Sequence, residues 1–279
     1  SILIEGPSGT GKELIARAIH NLSNRKEKPQ VVINCAAIPE NLLESELFGH
    51  VAGAFTDAKK DKPGKITIAE GGTVFLDEIG EMTKLLQVKL LRFLQDKTYE
   101  PLGSVKPVKA EVRIIAATNK NLKDEIETGS FRDDLFYRLN IINIELPALN
   151  QRKNDIPLLV SFFIKKYNAL KGKNLAGISD DALNILMEHD YPGNIRELEN
   201  IIEHATVLCK QLYIQDECLP HYLKSDKIVS KEMSLEEIEK IYIQRYLSKN
   251  DFNRKKTAQD LGIDTSTLWR KIKKYNISS

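Results

Sequence analysis

Seven residues near the start of the chain, Gly6-Pro7-Ser8-Gly9-Thr10-Gly11-Lys12, have the spacing of a loop that wraps phosphate. Glycines let backbone N–H groups turn inward on a polyanion, and the N-terminus of the following helix adds positive potential. Lys12 then reaches the β and γ phosphates of a nucleotide. Glu13 stands where the general pattern places Ser or Thr to hold magnesium, so the ion has to draw on other ligands. Gly71-Gly72-Thr73-Val74-Phe75-Leu76-Asp77-Glu78 supplies the complement. At the end of an apolar strand, Asp77 can hold magnesium directly or through water, and Glu78 is placed to polarise an attacking water. Alone, an Asp-Glu pair after a strand is often a helix cap; beside Lys12 the catalytic reading prevails. Asn119, following Val112–Ala117, either senses the γ-phosphate or simply makes a turn. Arg132 and Arg138 stand among aromatics and can stabilise transition-state charge, often from a neighbouring subunit. Arg132 can equally pair with Asp134 in its own helix. Arg196 sits in the first turn of a helix, against the dipole preference for acids there, and can point at a nucleotide from a helical lid.

These groups meet only if rigid elements bring them together. Ser1–Glu5 reads as a buried strand running into the phosphate loop, Glu13–His20 as a helix, and Thr73–Leu76 and Val112–Ala117 as further strands. The expected fold class is α/β, a doubly wound parallel sheet whose strand ends carry the site. After Pro147 the pattern turns helical over 156–170, 179–189 and 194–210, with Tyr191-Pro192-Gly193 a turn and Asn194 a helix cap. Because the chain opens on what reads as a central strand, further N-terminal chain is expected.

At 279 residues the length allows about two domains and a small third. The net charge of +2 gives no general hint of nucleic acid, so local charge has to supply it. Cys35, Cys209 and Cys218 are odd in number and lack metal spacing; they read as reduced thiols in a cytosolic protein. No run approaches the length of a membrane span.

Between the two halves of the nucleotide site lies an insertion, Glu46–Ala58, ELFGHVAGAFTDA. Gly53, Ala54, Phe55 and Thr56 in a row suit neither a helix nor an alternating strand. The stretch is either a tucked-in loop or an exposed apolar tip made to touch a partner.

In this order, GPSGTGKE, NCAAIPENLLESELFGH, GAFTDA, GGTVFLDEIGEM, AATN, GSFRDDLFYRLN and YPGNIRELEN resemble the central domain of bacterial sigma-54-dependent transcription activators. These form a branch of the AAA+ ATPases. The resemblance runs from Ser1 to about Tyr222. It implies that Glu13 is the family's own residue and that Asn34 contacts the catalytic Glu78, coupling nucleotide state to the insertion. Arg132 and Arg138 match trans-acting arginine fingers, Asn119 the first sensor and Arg196 the second. It further implies Mg2+-ATP as cofactor, a ring oligomer that is usually a hexamer, and a loop spanning Gly53, Ala54, Phe55, Thr56, Asp57 and Ala58 that engages sigma-54. The family's loop usually has Gly where Asp57 stands. That removes easy access to positive φ and adds a negative charge, which puts loop movement or partner choice in question. Another departure is 146–152, where the family tends to have a second Pro and more arginine.

A polar stretch, 224–233, reads as a linker. Ser234 opens a helix with an apolar stripe of Leu235, Ile238, Ile241, Tyr242 and Leu247. Then come 254–261, a turn at Gly262-Ile263-Asp264, and a second helix, 265–275. Between Arg254 and Lys274, seven basic residues stand against two acids, a local net of +5. Leu268, Trp269 and Ile272 are expected to form a small core. Thr265, Ser266, Thr267, Arg270, Lys271, Lys273 and Lys274 are expected to meet DNA. KKTAQDLGIDTSTLWRKIKKY resembles the Fis-type helix-turn-helix that ends many such activators. The expected domains are 1–146, an α/β ATPase; 147–223, a helical lid; and 234–279, a DNA-binding module. The functional expectation is an ATP-driven activator acting on sigma-54 RNA polymerase from upstream DNA. Asp57 leaves open a DNA-binding repressor with a vestigial ATPase. An AAA+ factor acting on DNA itself is a third reading, which the GAFT loop disfavours.

Overall fold

Five short apolar segments pair as one parallel sheet: β1 Ile2–Glu5, β2 Gln30–Asn34, β3 Thr73–Asp77, β4 Arg113–Thr118 and β5 Ile142–Glu145, in the order β2-β3-β4-β1-β5. The structure is a computed structural model and describes residues 1–225, 235–250, 252–275 and 277. Parallel neighbours require crossovers, so helices cover both faces and the central strands are apolar on both sides. Leu3, Val74, Leu76, Ile114 and Ala116 share one core with α2 (Glu40–Phe48), α3 (Lys84–Asp96) and α4 (Asp133–Leu139). Ile2, Ile4, Phe75, Ile115 and Ala117 face the opposite way, onto Ala16 and Ile19 of α1 (Lys12–Asn21). Register sets Glu5 beside Thr118 and Asn34 beside Asp77, so the polar strand ends line one edge of the sheet.

The expected doubly wound sheet is present. The sequence reading foresaw β1, β3 and β4 but neither edge strand. Edge strands have one paired side and half-exposed apolar residues, here Val32 and Ile142, which weakens their pattern.

Two further helices begin in this part of the chain: α5, Ile156–Lys171, and α7, Asn194–Leu208. The chain forms two compact units. One comprises 1–163 and 190–200; the other comprises 164–189 and 201–279. In the second, Gly177–Ile178 pairs in parallel with Tyr213–Ile214. There α6, Asp180–Glu188, is capped by the Ser179 hydroxyl, which accepts the Ala182 N–H at 3.3 Å.

The same unit carries α8 (Leu235–Lys249), α9 (Arg254–Asp260) and α10 (Thr265–Lys274) around Ile243, Leu247, Ala258, Leu268, Ile272 and Ile277. Trp269, expected in this core, is instead 52% exposed. On α10 it follows Leu268, and a single step of about 100° carries it off the buried stripe. The expected cap Ser234, residues 226–233 of the expected linker, and the side chains of Leu235, Ile238 and Ile241 lie outside the described residues. Among the described residues no helix is long and apolar enough to cross a membrane.

Candidate functional site

The loop leaving β1 turns sharply enough that two of its residues have to be glycine. Gly9 has φ +78°, and a Cβ there would lie 2.3 Å from the Gly193 carbonyl oxygen. Gly6, at φ +154°, would place a Cβ 2.5 Å from the Leu146 carbonyl oxygen. Thr10 donates its hydroxyl to the Pro7 carbonyl at 2.8 Å, which tightens the turn. Gly11 caps α1 and leaves its N-terminus facing the loop. Lys12 folds back to donate to the carbonyls of Gly6 (2.8 Å) and Pro7 (3.3 Å) and is 6% exposed. Burial draws its ammonium below the ordinary lysine range. Glu78 and Asp77 oppose that shift, and Arg196 adds to it. Lys12, Asp77, Glu78 and Arg196 therefore share one electrostatic site.

Asp77 ends β3, and its Oδ1 accepts the Glu78 N–H at 3.1 Å. Burial, and then the adjacent Glu78 carboxylate, push the Asp77 carboxyl above the ordinary aspartate range. A cation would relieve that cost. Two carboxylates at a strand end are hard oxygen donors of the kind Mg2+ uses together with substrate phosphates. Glu78 adopts a left-handed backbone, φ 53° and ψ 49°. That conformation costs a non-glycine residue about 1–3 kcal/mol and points to a positional requirement. Its carboxylate accepts the Asn119 N–H at 3.2 Å, joining Glu78 to the end of β4.

Asn34 was expected to contact Glu78. Its Oδ1 accepts the N–H groups of Ala36 and Ala37 instead, both at 3.0 Å, and no Asn34–Glu78 hydrogen bond occurs among the described residues. An Asx turn satisfies the start of the loop locally and competes with the longer reach. Glu13, on the first turn of α1, pairs with Arg17 at 3.2 Å. Ser8 offers its carbonyl to the Asn194 amide at 2.9 Å. Asn194 is not the helix cap expected. Its Oδ1 accepts the Leu149 N–H at 2.8 Å, so the residue bridges the phosphate loop to the segment after β5.

Arg132 precedes α4 and forms a bidentate pair with Asp134 at 3.0 and 2.7 Å, the local pairing that its spacing had left open. Arg138 donates to the Leu94 carbonyl at 3.3 Å.

In the insertion, Gly49–His50 pairs with Lys62–Pro63 and closes the loop at its base. Phe55 is 37% exposed and meets the His50 ring edge-on at 4.9 Å; Thr56 and Asp57 are exposed. Ala58, expected in the contact surface, is buried, because its N–H and carbonyl close the turn with Phe55 and Gly53. Asp57 is not among the residues at positive φ, so loss of the family glycine strains nothing in this loop conformation. The loop base is hydrogen-bonded to Leu102, and Ala54 packs on Gly103. Leu102 and Gly103 were not foreseen, since a non-local seat leaves no local pattern. Gln87 was missed as well; its only signal is a polar residue on the buried face of an apolar helix.

In the helix-turn-helix, Thr265, Ser266, Arg270 and Lys273 are exposed and Thr267 is half-buried. Asp264 caps α10 by accepting the Ser266 N–H at 2.8 Å. Lys273 stands 5.4 Å over the Trp269 ring. Two residues expected at DNA are engaged within the protein: Lys271 with Glu239, and Lys274 with Glu236 at 2.5 Å. α8 supplies these acids, so charge count alone overstated the free positive face.

Comparison with known proteins agrees with this arrangement. Residues 1–145 match the Sigma-54 interaction domain, 150–235 the AAA+ ATPase lid domain, and 234–275 the Fis family of bacterial regulatory proteins. The chain is 47% identical over 276 residues to the transcriptional regulatory protein ZraR of Escherichia coli K12, covering 98% of this chain and 63% of ZraR. It is 44% identical over 289 residues to the regulatory protein AtoC of the same organism, covering 99% and 63%. The chain thus spans about 63% of the length of these relatives. The crystal structure of NtrX from Brucella abortus in complex with ADP superposes with a TM-score of 0.75 at 37% identity, covering 99% of this chain and 64% of NtrX. Hsp104, at 17% identity and a TM-score of 0.57 over 74% of this chain and 40% of its own, shares the fold alone. A parallel-sheet AAA+ domain, its lid and a Fis-type helix-turn-helix on one chain belong to the sigma-54-dependent transcriptional regulators, and this chain is a member of that family.

Proposed function

We propose that the chain is an ATP-hydrolysing activator that binds upstream DNA and, as a ring, remodels RNA polymerase carrying sigma-54. The observation that carries the reading is the meeting of Lys12, Asp77 and Glu78 at one sheet edge in a chain whose insertion presents Phe55 and Thr56.

In this reading the loop Gly6–Gly11 receives the phosphates, and Lys12 leaves the Gly6 and Pro7 carbonyls to meet the β and γ oxygens. Asp77 would hold Mg2+, which would supply charge neutralisation. Glu78 orients water, and Asn119 ties its position to the γ-phosphate through the backbone N–H. Arg196 faces the phosphates from α7. Arg132, and with it Arg138, serves the nucleotide of the neighbouring subunit, and Arg132 has to exchange Asp134 for phosphate to do so. Asn34, next to Asp77 in register, relays nucleotide state to α2 and the insertion that follows it. The domain limits proposed remain 1–146, 147–223 and 234–279.

The test is complex formation between this chain and purified sigma-54 in ADP–aluminium fluoride, which stands in for the transferring phosphoryl group. A complex that forms with this ligand and is lost in Phe55→Ala supports the activator. Hydrolysis of ATP without any such complex would overturn it in favour of a repressor.

A further inference from the structure

Gln87 lies in the second turn of α3, an otherwise apolar stretch of core, and its side chain has no exposed surface. Burying an amide is unfavourable unless its groups are paired. Here both donors and the acceptor are used. Nε2 donates to the Met82 carbonyl at 2.8 Å and the Ser130 carbonyl at 3.0 Å, and Oε1 accepts the Arg132 N–H at 2.9 Å.

All three partners are backbone groups at the two ends of the hydrolytic apparatus. Met82 closes the short helical turn that follows Glu78, with Met82 N–H to Ile79 carbonyl at 3.1 Å and Glu81 N–H to Glu78 carbonyl at 3.0 Å. Ser130 and Arg132 flank Phe131, which is buried in the same core, and lead into α4. One side chain thus bolts the segment after Glu78 to the segment that presents Arg132. Among the described residues the Arg132 side chain is paired with the half-buried Asp134, so its backbone anchor is what defines where it can swing.

We infer that Gln87 is a positioning residue that sets the reach of Arg132 toward the nucleotide of the adjoining subunit. This rests on the trans-acting role proposed for Arg132. A hydrophobic residue of similar size, as in Gln87→Met, would fill the space but leave the Met82 and Ser130 carbonyls and the Arg132 N–H without their partner. The Arg132 segment would then loosen while the phosphate loop, Asp77 and Glu78 stay in place. Misplacement of a charge-stabilising group by about 1 Å costs on the order of 100-fold in rate.

The experiment is a mixed-subunit hydrolysis assay on the full chain. Gln87→Met is expected to bind ATP as the unaltered chain does and to hydrolyse it about 10- to 100-fold more slowly. Glu78→Gln is also slow, but it carries an intact Arg132. Mixing the two should restore hydrolysis, because sites that pair Glu78 of the first with Arg132 of the second are complete. Neither a folding defect nor a fault in Glu78 would be rescued in this way.

If Gln87→Met is slow but unrescued, Gln87 acts on Glu78 through Met82 and the inference fails. If Arg132→Ala is slow and Gln87→Met is not, the inference fails while the role of Arg132 stands. If Arg132→Ala hydrolyses normally, both fall. Should Gln87→Met not fold, Gln87→Leu, which likewise removes the acceptor for the Arg132 N–H, carries the same mixing test.

Discussion

Glu78 occupies a left-handed backbone between a buried strand and a tight turn, so its carboxylate is aimed by the main chain rather than by side-chain packing. Glu78→Gln preserves that geometry and removes only the charge that polarises water. It should bind ATP while hydrolysis falls about 10²–10⁴-fold, read as phosphate release beside a nucleotide titration. Near-normal turnover would remove Glu78 from the mechanism. On the neighbouring strand Cys35 follows Asn34, the register partner of Asp77, into the core, and its environment makes an opposite prediction about reactivity. Burial, then the charges of Asp77 and Glu78, push its thiol up to about 12. The thiol is therefore protonated in the fold at pH values where an unfolded cysteine, with a pKa of about 8.5, is half thiolate. Iodoacetamide at about that pH should leave Cys35 unmodified in the native chain and label it after denaturation, read by mass spectrometry. Rapid native labelling would contradict the burial.

At the scale of elements, the insertion is seated by a second irregular segment rather than by its own turn. Gly103 has φ +76°, and a Cβ there would stand 2.8 Å from Ala54 Cβ and 3.1 Å from Val51 Cγ2. Gly103→Val both strains the backbone and pushes Ala54 away. Trypsin should then cleave after Lys59 or Lys60 faster than in the unaltered chain, with hydrolysis of ATP retained. An unchanged cleavage rate would mean that the seat does not hold the loop. The basic helix α10 divides in a comparable way. Lys271 is tied to Glu239, whereas Lys273 lies on the exposed face with Arg270. Binding of a random-sequence DNA duplex should lose about one unit of salt slope in Lys273→Gln and almost none in Lys271→Gln. Equal losses would place both lysines at phosphate.

For the whole molecule, hydrolysis should need more than one chain if Arg132 serves a neighbour. The rate per subunit is expected to rise with protein concentration and then level off. Arg132→Ala should lower the plateau, since such arginines supply about 10³–10⁵ in rate elsewhere. A rate per subunit independent of concentration at high dilution would indicate that each chain is self-sufficient. Sedimentation at the same concentrations separates failed assembly from a failed site.

The chemistry was legible because phosphate binding and strand-end carboxylates are local. Gly6–Lys12 writes loop and charge, and Thr73–Glu78 strand and charge, within eight residues or fewer, and burial on both faces makes β1, β3 and β4 continuous apolar runs. Whatever depends on a partner distant in sequence was not legible. The split of α10 lysines required α8, the loop seat required Gly103, and Asn34 and Asn194 took hydrogen bonds that spacing did not announce. By itself the sequence determined which groups sit at the strand ends, since a polar side chain following an apolar strand has one edge on which to emerge. Only the tertiary structure decided how those groups are held. Gln87 joins residues 82, 130 and 132 because folding buries it among their backbones, and a buried amide has to take whatever partners the packing offers.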